Sequence, residues 1–178
     1  TITLIIKNEI YDNSKWFYND VIIYSDELKE LIQMPHYTIK ELMKKDKSLT
    51  VSIGSFVWNQ HKDKIIKESD TLPTLIYNSS LKKDYVKDYD DVLYKTVIIV
   101  DRGYGENYKF NFNVIADINY KNGFVLENHL LVIYSENYDT LEKIIDSFEN
   151  EFIKKIIKLY ITNGGMNLND LITNILFF

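Results

Sequence analysis

Leu93-Tyr94-Lys95-Thr96-Val97-Ile98-Ile99-Val100 is the stretch on which the fold turns. Its Val97–Val100 half is an unbroken apolar run, strand-sized and far too short to span a bilayer. Two more β-rich runs follow it, Lys109–Ile118 and Phe124–Tyr134. The turns Arg102–Gly105 and Lys121-Asn122-Gly123 separate them, and Asn-Gly is a strong two-residue hairpin signal. Together the three runs predict an antiparallel β-meander with a buried face. Downstream, Leu141, Ile144, Ile145, Phe148, Phe152, Ile156 and Leu159 fall on one helical stripe, which predicts a long amphipathic helix over Thr140–Tyr160. Asp139 with Glu142 makes a capping pair at its start, and Asn163-Gly164-Gly165 stops it. Asn167 and Asp170 repeat the capping pattern before a short C-terminal helix, Leu168–Leu176.

Upstream, Ile2–Ile6 and Asp20–Tyr24 predict short strands, and Asp26–Ile32 and Thr38–Lys45 predict helices broken apart by Pro35. Thr50–Ile53 alternates as a strand, and Leu75–Tyr77 follows Pro73 as another. The charged stretch Lys82–Asp91 predicts a surface connection. No linker rich in proline, glycine or serine interrupts the chain, so the expectation is one α+β domain over residues 1–178.

The absence of cysteine removes disulfides and thiolate metal sites and fits a reducing cytoplasm. The start at Thr1 and the apolar end Leu176-Phe177-Phe178 lead to the expectation of a piece excised from a longer chain. A net charge of −5 argues against indiscriminate nucleic-acid binding, which needs a basic surface. That charge is uneven: Lys40–Lys67 holds seven lysines against three acids, a local +4. Such a segment could face phosphates, or be a solvated lysine-rich surface.

The next feature is Phe56-Val57-Trp58-Asn59-Gln60-His61-Lys62-Asp63-Lys64. Asn59 and Gln60 carry amides that can bond an adenine edge in two places, while Lys62, Lys64, Lys44 and Lys45 suit phosphates. The structural reading makes Trp58 a core anchor and Asn59 the cap of a helix through Ile65-Ile66. Trp58 fits that second reading better; Gln60, His61 and Lys62 fit either. In Arg102-Gly103-Tyr104-Gly105 the chain's one arginine sits in a glycine-flanked turn, where its planar fork suits phosphate or guanine. In Glu127-Asn128-His129 the histidine lies within a strand pattern and reads as structural. His36, His61 and His129 lack metal-ligand spacing, so no metal is assigned.

These segments, in this order, resemble the C-terminal target recognition domain of adenine-specific DNA methyltransferases from restriction-modification systems. The resemblance runs from about Thr50 to Ile175. It rests on Phe56–Lys64, Leu75-Ile76-Tyr77-Asn78-Ser79-Ser80, Arg102–Gly105, Glu127-Asn128-His129-Leu130 and the closing pair of helices. It implies a portion that grips double-stranded DNA; the chemistry and placement of the side chains, not the resemblance, nominate Lys44, Lys45, Ser55, Asn59, Gln60, His61, Lys62, Lys64, Arg102 and Tyr104 for the contacts. A separate catalytic domain of the parent protein would bind S-adenosylmethionine and transfer the methyl group. The catalytic Asn/Asp-Pro-Pro-aromatic motif does not occur here, since Pro35 and Pro73 stand alone, so this chain is expected to have no catalytic residues and no cofactor of its own. Two rival readings stand beside it. One is a protein-interaction or structural module docking partner subunits. The other is a nuclease fragment using Asp20, Glu27 and Lys29.

Overall fold

The computed structural model describes residues 17–18, 21–22, 36–102, 110–160 and 165–173. Chain contacts divide the molecule into two units, Thr1–His36 and Tyr37–Phe178. In the first, β1 (Phe17–Tyr18) pairs antiparallel with β2 (Val21–Ile22), Phe17 facing Ile22. The expected strand Ile2–Ile6, the expected helix Asp26–Ile32 and the trio Asp20, Glu27 and Lys29 lie outside the described residues.

The second unit is α+β. It opens with α1 (Ile39–Lys45), where the Thr38 hydroxyl accepts the Glu41 N–H and the Glu41 carboxylate accepts the Thr38 N–H in a reciprocal cap. There follow β3 (Thr50–Ile53), β4 (Ile65–Ile66), β5 (Thr74–Ile76), β6 (Lys83–Val86), β7 (Val97–Asp101), β8 (Phe112–Ile115), β9 (Phe124–Leu126) and β10 (Leu130–Tyr134). Then come α2 (Tyr138–Glu149), α3 (Glu151–Tyr160) and α4 (Leu168–Thr173). One antiparallel sheet has the order β3-β10-β7-β8; the other runs β4-β6-β5-β9, with β5 and β9 parallel.

Strand alternation explains the core. Val97, Ile99, Ile115, Leu130 and Val132 on one face of the first sheet pack with Ile76, Phe124 and Leu126 of the second. Ile98, Val100, Leu131 and Ile133 therefore occupy the opposite face, and all four are buried. On α2, Phe148 meets the Phe112 ring at 5.2 Å. The run Val97–Val100 is unbroken because both of its faces are covered, which removes any need for polar alternation.

The topology departs from the expected meander. Val97–Asp101 does pair with Phe112–Ile115, but Phe124–Tyr134 is two strands in two sheets. Phe124–Leu126 lies parallel to β5, and after the turn at Glu127–His129 the chain re-enters the first sheet between β3 and β7. Asn122-Gly123 is a turn as expected, with the Gly123 N–H bonded to Tyr120 O and φ +75° at Gly123, but it joins two sheets. Lys83–Val86, expected within a surface loop, is an inner strand of the second sheet, because Ile65–Ile66 and Thr74–Ile76 pair on either side of it.

The helix expected over Thr140–Tyr160 breaks at Asn150, whose backbone is extended (φ −66°, ψ 124°). Its side-chain oxygen accepts the Phe152 N–H at 2.9 Å and so caps a new helix. The cap of α2 is Asn137, accepting from Asp139 N–H, in place of the expected Asp139–Glu142 pair. At α4 the Asn167–Asp170 pair caps reciprocally as its spacing predicts.

Candidate nucleic-acid interface

Pairing fixes which strand ends are neighbours. Leu131 faces Ile53 and Leu130 faces Asp101, so the ends of β3 and β7 and the start of β10 share one end of the first sheet. The three motif segments leave from that end. The Gly54 N–H donates to Leu130 O at 2.9 Å, Asn128 N–H to Phe56 O at 2.9 Å, and Arg102 N–H to His129 O at 3.3 Å. Glu127–Leu130 thus sits between the tryptophan segment and the arginine. Gly54 permits this approach: a Cβ there would stand 2.2 Å from Glu127 O and 2.6 Å from Leu126 O.

Past Gly54 the chain alternates between an exposed Ser55 and a buried Phe56, then makes two overlapping turns closed by Gln60 N–H to Val57 O and His61 N–H to Trp58 O. Asn59 and Gln60 are exposed on these turns. No helix begins here, contrary to the capping reading of Asn59; a single 3₁₀ turn, Lys62–Lys64, leads into β4. Trp58 is 41% exposed where a core anchor was expected. Phe56 takes the buried place instead, and Lys62 Nζ lies 4.0 Å from the centre of the indole.

Beneath Trp58 is a network that the sequence reading missed. Trp58 lies beside the Tyr77 hydroxyl, which donates to Asp84 at 2.7 Å, and Lys67 donates to the same carboxylate oxygen at 2.8 Å. Burial, followed by the Asp84 hydrogen bond and charge, pushes the Tyr77 hydroxyl far above its ordinary pKa, so it stays a donor at neutral pH. The clue to this network was the Tyr77-to-Asp84 spacing, which is legible only once Lys83–Val86 is a strand paired to β5.

The other expected contacts are differently placed. His61 packs its ring against Phe56 and Tyr89, each 5.5 Å away. Lys64 Nζ donates to Asp88 O at 2.6 Å. Arg102 Nε donates to Met166 O at 3.1 Å, and Met166 N–H returns a bond to Arg102 O. Tyr104 lies outside the described residues. Lys44 and Lys45 are exposed in the last turn of α1 next to Asp46, which is bonded to Ser135 beyond the far end of β10. The five-residue advance from Leu130 to Ser135 is about 17 Å of strand, so these two lysines are not brought to the Gly54 end.

Glu127 and His129 form a local pair. The buried Glu127 carboxylate accepts the His129 N–H at 2.8 Å and contacts Nδ1 at 2.6 Å, while the histidine side chain is 58% exposed. The carboxylate fixes the ring's orientation and the shape of the turn that holds the other two segments together. Among the described residues no group of histidine and carboxylate side chains could hold a metal ion, and no helix is long and apolar enough to cross a membrane. No protein family, curated protein or solved structure matches the chain.

Proposed function

We propose that this chain is a target-recognition module for double-stranded DNA, of the kind that directs an adenine-N6 methyltransferase within a restriction-modification system. Methyl transfer from S-adenosylmethionine would belong to a separate catalytic domain of the parent protein, which takes the target adenine out of the stack. A cytoplasmic setting goes with such a substrate. The observation that carries the reading is the meeting of the tryptophan segment, the Glu127–Leu130 turn and Arg102 at one end of a sheet. That end presents exposed amides at Asn59 and Gln60 beside an exposed indole and the Lys62 ammonium. Amides read base edges and ammonium groups neutralise phosphate, so the two kinds of contact stand side by side.

In this reading the contact set is Ser55, Asn59, Gln60 and Lys62. His61, Lys64 and Arg102 hold the surface in shape through the ring cluster, Asp88 and Met166. The test is a salt titration of binding to a duplex pool with a randomised centre. Binding should weaken with added salt with a log–log slope of about −0.9 for each phosphate neutralised, and Lys62→Glu should abolish it. No binding at low ionic strength, or full binding by Lys62→Glu, overturns the proposal.

A further inference from the structure

A second surface lies along β10, from Gly54 and Ser55 at one end to Glu136 and Tyr138 at the other. Two hollows meet there, of about 130 Å³ and about 320 Å³, and both are lined by Lys95 and Tyr134. Thr50 and Ser52 of β3 and Asp91 line the smaller. Tyr94, Asp117, Glu136 and Tyr138 line the larger. Tyr94 is 65% and Tyr138 68% exposed, although phenol rings of this size usually cover part of their apolar area.

Two features give this groove a preferred partner. The first is its charge: Asp91, Asp117 and Glu136 face one lysine, and none of the three carboxylates is in an ion pair among the described residues. The second is Lys95 itself, whose Nζ lies 3.8 Å from the centre of the Tyr134 ring. An ammonium group is therefore already seated on an aromatic face in the middle of the groove, flanked by unneutralised carboxylates. A phosphate-bearing ligand would meet net repulsion here; a cation would meet ring faces and acids together.

We propose that this groove binds a basic, lysine- or arginine-bearing segment of a partner polypeptide in extended form, with Lys95 a resident competitor for the Tyr134 face. Extension follows from shape. The groove follows β10 from Thr50 and Ser52, beside Tyr134 and Val132, to Glu136 and Tyr138, and so offers successive positions to alternate side chains. A small free amine would fill only one hollow. This inference does not rest on the DNA-binding reading: the groove borders that surface at Gly54 and Ser55, which line the smaller hollow, and its argument uses the tyrosines and carboxylates farther along β10.

The experiment is fluorescence anisotropy with a labelled hexa-arginine peptide on the full chain near physiological salt, where diffuse surface attraction is largely screened. A Gly-Ser peptide of equal length and free spermine serve as comparators. Tyr94→Ala, Tyr138→Ala and Glu136→Gln are all at exposed positions and should leave the melting temperature unchanged. Each should weaken peptide binding about fivefold, the size of one cation–π or screened ion contact. Lys95→Met should tighten it by a similar factor, because the competitor is gone. Three outcomes overturn the proposal: no binding of the arginine peptide; binding that the two tyrosine substitutions leave unchanged, which marks diffuse charge; or spermine competing at equal concentration, which marks a polyamine site. Duplex DNA binding should be the same in all four variants.

Discussion

Gly54 passes so close to Glu127 that any side chain on the glycine would meet the Glu127 carbonyl oxygen, 2.2 Å from an added Cβ. The neighbouring atoms are backbone, so no rotamer change can relieve the contact. Gly54→Ala should therefore force Gly54–Phe56 away from the Glu127–Leu130 turn. We expect a loss of about 2–3 kcal/mol in urea denaturation, typical of overpacking against a rigid wall. DNA affinity measured well below the melting temperature should fall as well, since the two segments separate. An unchanged unfolding midpoint would show that the close approach is not needed.

Asn59 and Gln60 test base reading separately from folding. Both are exposed, so Asn59→Ala and Gln60→Ala should alter stability by no more than about 0.5 kcal/mol. In a selection from randomised duplexes, each should relax preference at one position by about 1–3 kcal/mol. Lys62→Ala should instead weaken all duplexes alike and make the salt slope shallower by about 0.9. Equal behaviour of the amide and lysine variants would refute this division of labour.

Asp46 ties the end of α1 to the β10–α2 corner. Its carboxylate accepts from the Ser135 hydroxyl at 2.5 Å, the Ser48 hydroxyl at 2.6 Å and the Ser48 N–H at 2.9 Å. The Ser135 hydrogen bond first, then that of Ser48, hold this carboxyl far below the ordinary aspartate value of 3.8. A depressed folded-state pKa adds stability that is fully present above the unfolded value and fades as pH falls through the folded one. Stability should thus be flat near neutrality and decline on acidification below about pH 4. Asp46→Asn should be less stable at neutral pH and show a shallower decline. An identical acid profile would remove Asp46 from the account.

Arg102 spends its Nε on Met166 O. Arg102→Lys keeps the charge and loses the planar donor, so it should cost about 1 kcal/mol of stability, as Arg102→Ala does. If Arg102 grips phosphate instead, the lysine variant will keep both stability and the wild-type salt slope, and the alanine variant alone will lose affinity. Denaturation and salt titration of the pair separate the two roles.

Charge reversal distinguishes DNA recognition from the docking of partner subunits. Lys62→Glu should destroy DNA binding while leaving any pull-down partner bound. Loss of assembly with unchanged DNA affinity would favour the interaction-module reading. Size-exclusion chromatography beside the titration reads both.

Local chemistry was legible wherever a side chain answers to its own neighbours in sequence. Asn167 with Asp170 caps a helix because the reciprocal bonds close within one turn. Thr50–Ile53 and Val97–Val100 form strands, as their composition predicts. Misreadings came where a residue answers to something distant. Lys83–Val86 looks like a charged loop until β4 and β5 supply hydrogen-bond partners on both sides. Trp58 looks like core until Phe56, two positions earlier, fills the buried place. Asn150 reads as one polar residue on a helix, yet its side chain competes for the Phe152 amide and divides the helix.

By itself the sequence determined the α+β class, the Asn167–Asp170 cap, the strand-forming runs and the tryptophan, arginine and histidine segments, because period and capping act over a few residues. Tertiary structure alone decided that Phe124–Tyr134 divides between two sheets and that its turn gathers those segments at one end. The reason is physical. A strand's composition reports that its backbone bonds must be met by a neighbour, and only the burial of both sheets decides which neighbour that is.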